Sequence, residues 1–563
     1  MDPSTQNQYI IAIDIGTTKL KCYLYSKDMK VVHRTDKKLN VIHSCDGAVE
    51  IIPDDLCSSV ISNVEKLMSE AKISSSEVAC LAISSQRATF TLWDRPTNHH
   101  LLNLITWKDQ RAAEESSKWN NSCVFKVLRF IFHCIYLISG SQRFLVGSKL
   151  KFSSAHVTMR LLWALRNNRE LKTAIKNGTA MFGTLDTWLI YRLTKGKSYC
   201  TDYSCASATG MYDPFTLSWT FLLKLFGIPC WIFPAVVDSA GTHFGNVSAD
   251  IWGSEIPIMS SMADQSASAF SLGCVNRGDV KLTLGTGGFM SNTVGREILS
   301  YKNDTICPLI YWKYREIQTC VLEGAFYNCG TVVDWAHRAG YFDKLEELSE
   351  LTESVFDSDG VYLKSGFLNS SLNMHQSDNL LVEAFDGATV TTKKVYLIRA
   401  ILENIVFQAY HLHLLFRNEV YFDKRSPIRV CGGVSNNDFV CQSIADICQV
   451  IVSRPPCVEA SIRGVALLAG NTAAVDDRSK AFALNSKVPD ARHRSAGFRV
   501  RRKPQCTRSL PAGKARVQPE NPNDPQKARL DEIPGGTGDN VPATYVYQHP
   551  PTQLTTILPP ALC

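Results

Sequence analysis

None of the 19 cysteines stands in a C-x-x-C pair, and none shares with a histidine a spacing that suits zinc. That excludes a zinc-ribbon or dithiol redox reading. Many cysteines lie inside apolar runs, Cys80, Cys134 and Cys448 among them, where Cys behaves as a small hydrophobe. A reducing compartment fits that usage. Met1 to Gln8 is polar and lacks the apolar core of a signal peptide. No apolar run is long enough to cross a bilayer: the most apolar stretch, Val124 to Ile138, is interrupted by Lys126, Arg129 and His133. It is expected to be a packed helix, with contact to a membrane or partner as the alternative. Excess charge is also scarce in the main body. The chain carries a net +7, but residues 471–563 hold 14 Lys/Arg against 8 Asp/Glu, which leaves +1 for residues 1–470. A body so nearly neutral offers no footprint for nucleic acid. A soluble cytoplasmic protein is the expectation.

What is present is a chain of 563 residues, 45% hydrophobic, enough for two large domains. Two Gly-Thr turns sit about half a chain apart, each closing a strand: Ile13-Asp14-Ile15-Gly16-Thr17-Thr18 and Leu282-Thr283-Leu284-Gly285-Thr286-Gly287. Glycine lets backbone approach a phosphate, and neighbouring amides and hydroxyls can bond its oxygens. One such turn is weak; two, each heading a similar βα-rich half, point to an ATPase whose two lobes grip one nucleotide. Asp14 supplies the carboxylate that a magnesium ion needs.

Periodicity predicts a buried strand at 9–13, a half-exposed strand in which Leu20, Cys22 and Leu24 alternate with Lys19, Lys21 and Tyr23, and a strand through 30–33. A helix is predicted over 56–68 and a buried strand over 78–84, running into Ser85-Gln86-Arg87. Residues 115–155 read as an insertion or irregular helical segment, and 158–166 as helix. A short strand at 256–259 leads to Ala263-Asp264-Gln265. In the second half, 280–284 and 289–293 form a hairpin, and 319–322 is a strand ending at Glu323-Gly324. Leu397 to Leu412 is helical. The strand 428–431 ends in Gly432-Gly433, before a helix capped by Asn437 or Asp438. After Gly470 the chain holds 12 of its 23 prolines and little apolar periodicity, so it reads as mostly disordered.

Taken in order, these motifs, with Trp107-Lys108-Asp109 and Gly183-Thr184-Leu185-Asp186-Thr187-Trp188-Leu189, resemble the FGGY carbohydrate kinases, and within them the glycerol kinases. The resemblance covers roughly residues 9–470. It implies an α/β fold of two actin-like (ribonuclease H-like) ATPase domains around a central cleft. They are placed at 9–273 (acceptor and phosphate side) and 274–470 (nucleotide side), followed by a basic, proline-rich tail at 471–563. The implied reaction is ATP-dependent phosphorylation of a small polyol, glycerol first, with Mg2+.

Phosphoryl transfer needs a positioned hydroxyl, a base and charge neutralisation on the phosphates. Asp264, following a strand and the small Ala263, is the candidate base; the plainer alternative is that it caps the next helix. Asp14 is the magnesium-side carboxylate, with Asp264 beside it, or else a turn-forming Asx. The resemblance places Thr17, Thr18 and Lys21 near the transferred phosphate, although Lys21 shares a polar strand face with Lys19 and reads equally as a solvated lysine. Gly285, Thr286 and Gly287 match the second phosphate loop, and Gly432, Gly433 and Asn437 the adenosine turn. Arg87, Trp107, Asp264, Gln265 and Phe289 match the acceptor pocket.

Three departures stand against the family pattern. Ala88 replaces the usual glutamate after Gln-Arg, and a pocket tyrosine falls near Ala155. Residues 365–386 do not reproduce the family's Gly-x-x-Ala-Pro…Asp-Pro loop. The tail replaces further C-terminal helices. A nucleotide-binding pseudokinase, or a kinase for another polyol or sugar, is therefore the alternative. The sequence leaves a homo-oligomer open.

Overall fold

The computed structural model describes residues 9–300, 306–364, 384–417, 426–455, 459–476 and 496–499. Most of the 365–386 loop and of the 471–563 tail lies outside the described residues.

Two mixed sheets share one plan. In the first, Tyr9–Ile15 and Lys19–Ser26 form an antiparallel hairpin, and Val31–Lys38 adds antiparallel to its second strand. Val78–Ser85 and then Ile256–Ala263 pair in parallel on the other side of Tyr9–Ile15. In the second sheet, Val280–Leu284 and Gly288–Gly295 make the hairpin, Ile317–Phe326 adds antiparallel, and Ile428–Cys431 then Val452–Arg454 pair in parallel beyond Val280–Leu284. Each glycine turn is therefore the three-residue loop of the equivalent hairpin in its own half.

The strand 19–26 is more buried than its alternation predicts: Tyr23 and Tyr25 are buried as well as Cys22 and Leu24. Both belong to a core cluster containing Ile462, Val465 and Ala466, from the Ala460–Asp476 helix, which packs across the first sheet. That helix also lies against Asp264–Ser271 in backbone contact, because a Cβ on Gly464 would fall 1.8 Å from the Ala267 carbonyl oxygen. The proline-rich tail is not wholly without structure, since Ala496–Phe498 adds antiparallel to Val452–Arg454.

Other boundaries shift. The strand expected to end at Glu323 continues to Phe326, so Glu323 sits inside the sheet opposite Ser291. The segment 115–155 forms the helices Ala113–Asn121, Cys123–Ser139 and Gln142–Lys149. The expectation of a packed helix at 124–138 holds for one face only: Phe125 and Phe132 are buried, whereas Phe130, Leu137 and Ile138 are 68%, 68% and 88% exposed. No single helix among the described residues is long and apolar enough to cross a membrane, although the bent pair Ala113–Asn121 and Cys123–Ser139 passes together by length and composition. Fifteen described cysteines are free, most of them buried, while Cys307 is disulfide-bonded.

Candidate active site

A cleft of about 860 Å³ is lined by both glycine turns, and every residue given a binding or catalytic role from the sequence borders it: Asp14, Thr17, Thr18, Lys21, Arg87, Trp107, Asp264, Gln265, Gly285, Thr286, Gly287, Phe289, Gly432, Gly433 and Asn437.

Asp14 is the last residue but one of the buried strand Tyr9–Ile15 and is itself 5% exposed. Ser84, its neighbour across the parallel pairing, donates to Oδ1 at 2.6 Å, and Ser461 donates to Oδ2 at 3.0 Å. Burial pushes the Asp14 carboxyl up to about 6, with Lys21 and Ser84 opposing and Asp264 adding to the rise. Lys21 is not a twin of Lys19. Lys19 is solvent-exposed beside Asp36, whereas Lys21 pairs with Glu459 at the cleft wall. Burial disfavours the Lys21 cation, but Asp14 and Glu459 outweigh it and hold the amine above its usual range.

The Ile256–Ala263 strand delivers Asp264 to the cleft. The helix begins at Asp264 itself, not at Gln265, and has no side-chain N-cap. Asp264 Oδ1 accepts only from the adjacent Gln265 amide, at 2.8 Å, which leaves the plain capping explanation without support. Burial raises its pKa, while Arg87 and Lys281 pull it partway back. Lys281 is fully buried and donates to the Gln265 carbonyl at 2.7 Å, to Gln265 Oε1 at 2.9 Å and to Ser268 at 2.9 Å, so it fixes the Gln265 rotamer.

Arg87 reaches from the first half to Glu323 in the second, Nη2 to Oε1 at 2.5 Å, with Tyr311 donating to Oε2 at 2.6 Å. Its guanidinium lies 5.3 Å from the Phe289 ring centroid, and Trp107 meets Phe289 edge-on at 6.3 Å. Trp107 Nε1 donates to Thr17 Oγ1 at 3.1 Å, joining the aromatic wall to the first glycine turn. Gln86 is buried in the same wall with neither end of its amide bonded.

Gly432 has φ 94°, and a Cβ there would sit 2.5 Å from the Leu284 carbonyl oxygen. The Gly-Gly turn thus packs backbone to backbone on the second glycine turn, a demand stronger than a mere tight connection. Asn437, not Asp438, caps the following helix, accepting from Val440 N at 3.0 Å. On the adenosine role that the family resemblance implies for this turn, we expect Gly432→Ala to weaken ADP binding at least about tenfold, through displacement of the Leu284–Gly287 turn. Calorimetric titration checks this, and unchanged affinity would sink it.

Glu459, Lys281 and Arg160 were missed, and Glu323, noted only within its motif, had been given no role. Arg160 is fully buried and donates to the carbonyls of Thr106 (2.5 Å), Ala155 (2.6 Å), Ala88 (2.7 Å) and Ile105 (3.2 Å). It therefore ties together the segments that precede Trp107 and follow Arg87. Ala88 is held at φ 54°, a left-handed conformation costing roughly 1–2 kcal/mol outside glycine. Arg160→Met should destabilise the protein by about 3 kcal/mol, because four buried carbonyls lose their donor. Urea denaturation reads the loss, and a change below about 1 kcal/mol contradicts the tethering role.

The FGGY family of carbohydrate kinases matches through its N-terminal domain over residues 9–271 and its C-terminal domain over 280–473. Mouse glycerol kinase 5 is 36% identical over 468 residues, covering 83% of this chain and 87% of that protein. A glycerol kinase from Parabacteroides distasonis is 31% identical over 468 residues, covering 83% and 89%. The structure of Plasmodium falciparum glycerol kinase with ADP superposes with a TM-score of 0.70 at 25% identity, covering 88% of this chain and 94% of that one.

Proposed function

Since the chain belongs to the FGGY family of carbohydrate kinases, we propose that it transfers the γ-phosphoryl group of ATP to a small polyol, with glycerol as the first candidate and glycerol 3-phosphate as product. The fold is the two-domain actin-like ATPase fold of that family, and the chain is an ATP-dependent kinase. The observation that carries the substrate reading is the meeting of Arg87, Trp107, Asp264, Gln265 and Phe289 with both glycine turns in one cleft. In this reading, residues 9–273 are the acceptor and phosphate side, 274–470 the nucleotide side, and 471–563 an appended tail.

Asp264 takes the proton of the attacking hydroxyl. Arg87 donates to acceptor oxygens, while Trp107 and Phe289 cover the carbon chain. The Gln86 amide, unbonded at both ends, offers a further donor and acceptor to a bound hydroxyl or phosphate oxygen. Thr17, Thr18 and Lys21 face the transferred phosphate, Gly285–Gly287 the remaining phosphates, and Gly432, Gly433 and Asn437 the adenosine. Two carboxylates in a cleft, one of them buried beside a single lysine, fit a hard divalent cation. Asp14 and Asp264 would hold Mg2+, which supplies charge neutralisation on the phosphates.

The test is ADP release by the full-length chain with glycerol and a panel of polyols and sugars. Glycerol-dependent release supports the reading in full. Release with another polyol alone replaces the substrate, and ADP binding with no acceptor-dependent turnover overturns the kinase reading.

A further inference from the structure

Asp14 and Lys21 stand directly opposite each other across the first hairpin, and Asp36 stands opposite Lys21 on the next strand. Opposite residues of an antiparallel pair share a face, with Cβ atoms about 5 Å apart, so a carboxylate and an ammonium there are expected to pair. Among the described residues they do not. Lys19 holds Asp36, at 3.5 Å, and the Lys21 ammonium pairs with Glu459, the residue just before the Ala460–Asp476 helix. Asp14 receives hydroxyls instead, Ser84 at one oxygen and Ser461 at the other. Two residues at one helix start therefore part the expected ion pair: Glu459 takes the cation and Ser461 bonds the carboxylate. The helix start has little room to drift. Ile462, Val465 and Ala466 are buried against the first sheet, and a Cβ at Gly464 would fall 1.8 Å from the Ala267 carbonyl oxygen.

With Asp14 on the metal side and Lys21 at the transferred phosphate, the reading on which this rests, we propose that Glu459 is a positioning residue for phosphoryl transfer. It draws the Lys21 ammonium off Asp14. Asp14 then stays open to a divalent cation, because a carboxylate has about four lone-pair sites and the two hydroxyls fill only two. Lys21 keeps its charge at the cleft wall, where a phosphate can meet it. Without Glu459 the ammonium falls back on its cross-strand partner and competes with the cation for the same carboxylate. The Lys21 and Glu459 side chains are 25% and 33% exposed, so losing their pairing costs the fold little.

The experiment is calorimetric titration of the full chain with ADP, in EDTA and then with Mn2+ in place of Mg2+. The proteins are wild type, Glu459→Gln, Lys21→Met/Glu459→Gln and Glu346→Gln. The quantity read is the gain in ADP affinity that the metal brings. Glu459→Gln is expected to cut that gain about tenfold, with ADP affinity in EDTA within about threefold of wild type and an unchanged melting temperature. The double variant should recover the gain, because no ammonium is left to occupy Asp14, while acceptor-dependent turnover stays lost with Lys21. Glu346→Gln removes a different carboxylate of the cleft and should leave the gain intact. A full gain in Glu459→Gln overturns the inference. So does a double variant as weak as Glu459→Gln, which makes Glu459 a metal ligand. An equal loss in Glu346→Gln overturns it too, since net charge and not position would then govern the metal. A wild type that gains nothing from Mn2+ instead overturns the metal-side reading of Asp14, and the inference falls with it.

Discussion

Asp264→Asn is expected to lower kcat about 10³-fold or more while ADP affinity stays within about threefold of wild type. The substitution keeps the size of the side chain and its carbonyl-type oxygen, so the bond from the Gln265 amide, 2.8 Å in the parent, can persist. What it removes is the group we assign to take the acceptor proton. Asp264 stands at the mouth of a helix whose backbone is locked against Ala460–Asp476 at Gly464, so a neighbouring base has no easy route to its position. The nucleotide contacts we assign lie on other elements, the Gly285–Gly287 and Gly432–Gly433 turns. A stopped reaction with intact ADP binding therefore separates chemistry from binding. Near-wild-type kcat would falsify the base assignment, and loss of both properties would mean that Asp264 acts through the metal or the fold.

What the sequence made legible was local. Each glycine turn sits between two strands whose periodicity is strong, and Asp264 follows a buried strand directly, so chain order alone brought them to notice. Glu323 was noted in its motif but without a role, because its partner Arg87 is 236 residues away. Glu459 and Lys21 are 438 residues apart, a pairing no local pattern announces. Lys281 lay in plain view in the second hairpin, but a lysine in an apolar strand reads as an edge position until its three oxygen partners are placed around it. Arg160 sits at helical spacing among Leu161, Leu162 and Ala164, and only the convergence of four carbonyls from distant segments reveals its task. The outer face of Cys123–Ser139 is the reverse case: its apolar content was evident, yet only packing could tell which face the protein covers.

Glu323→Gln is expected to cost about 3–5 kcal/mol of stability, the largest structural effect among the substitutions at and behind the cleft wall. The carboxylate side chain is 3% exposed and its Arg87 partner 7%. Burial alone disfavours the Arg87 cation, and Glu323, Tyr311 and Asp264 together more than compensate. Glutamine preserves shape and can still accept from Tyr311, but it leaves a full positive charge in a dry site with only Asp264 nearby. A domain stable by ~5–15 kcal/mol loses much of its margin to such a change. The double variant Arg87→Met/Glu323→Leu removes both charges and fills the space with apolar groups, so most of the stability should return. Acceptor-dependent turnover should not return, because the guanidinium we assign to the acceptor oxygens is gone. Urea denaturation and ADP release on the same three proteins distinguish the roles. If the double variant is as unstable as Glu323→Gln, the loss came from packing and not from an unpaired charge. If it turns over polyol normally, Arg87 is a structural residue and the acceptor is held by Trp107, Asp264, Gln265 and Phe289.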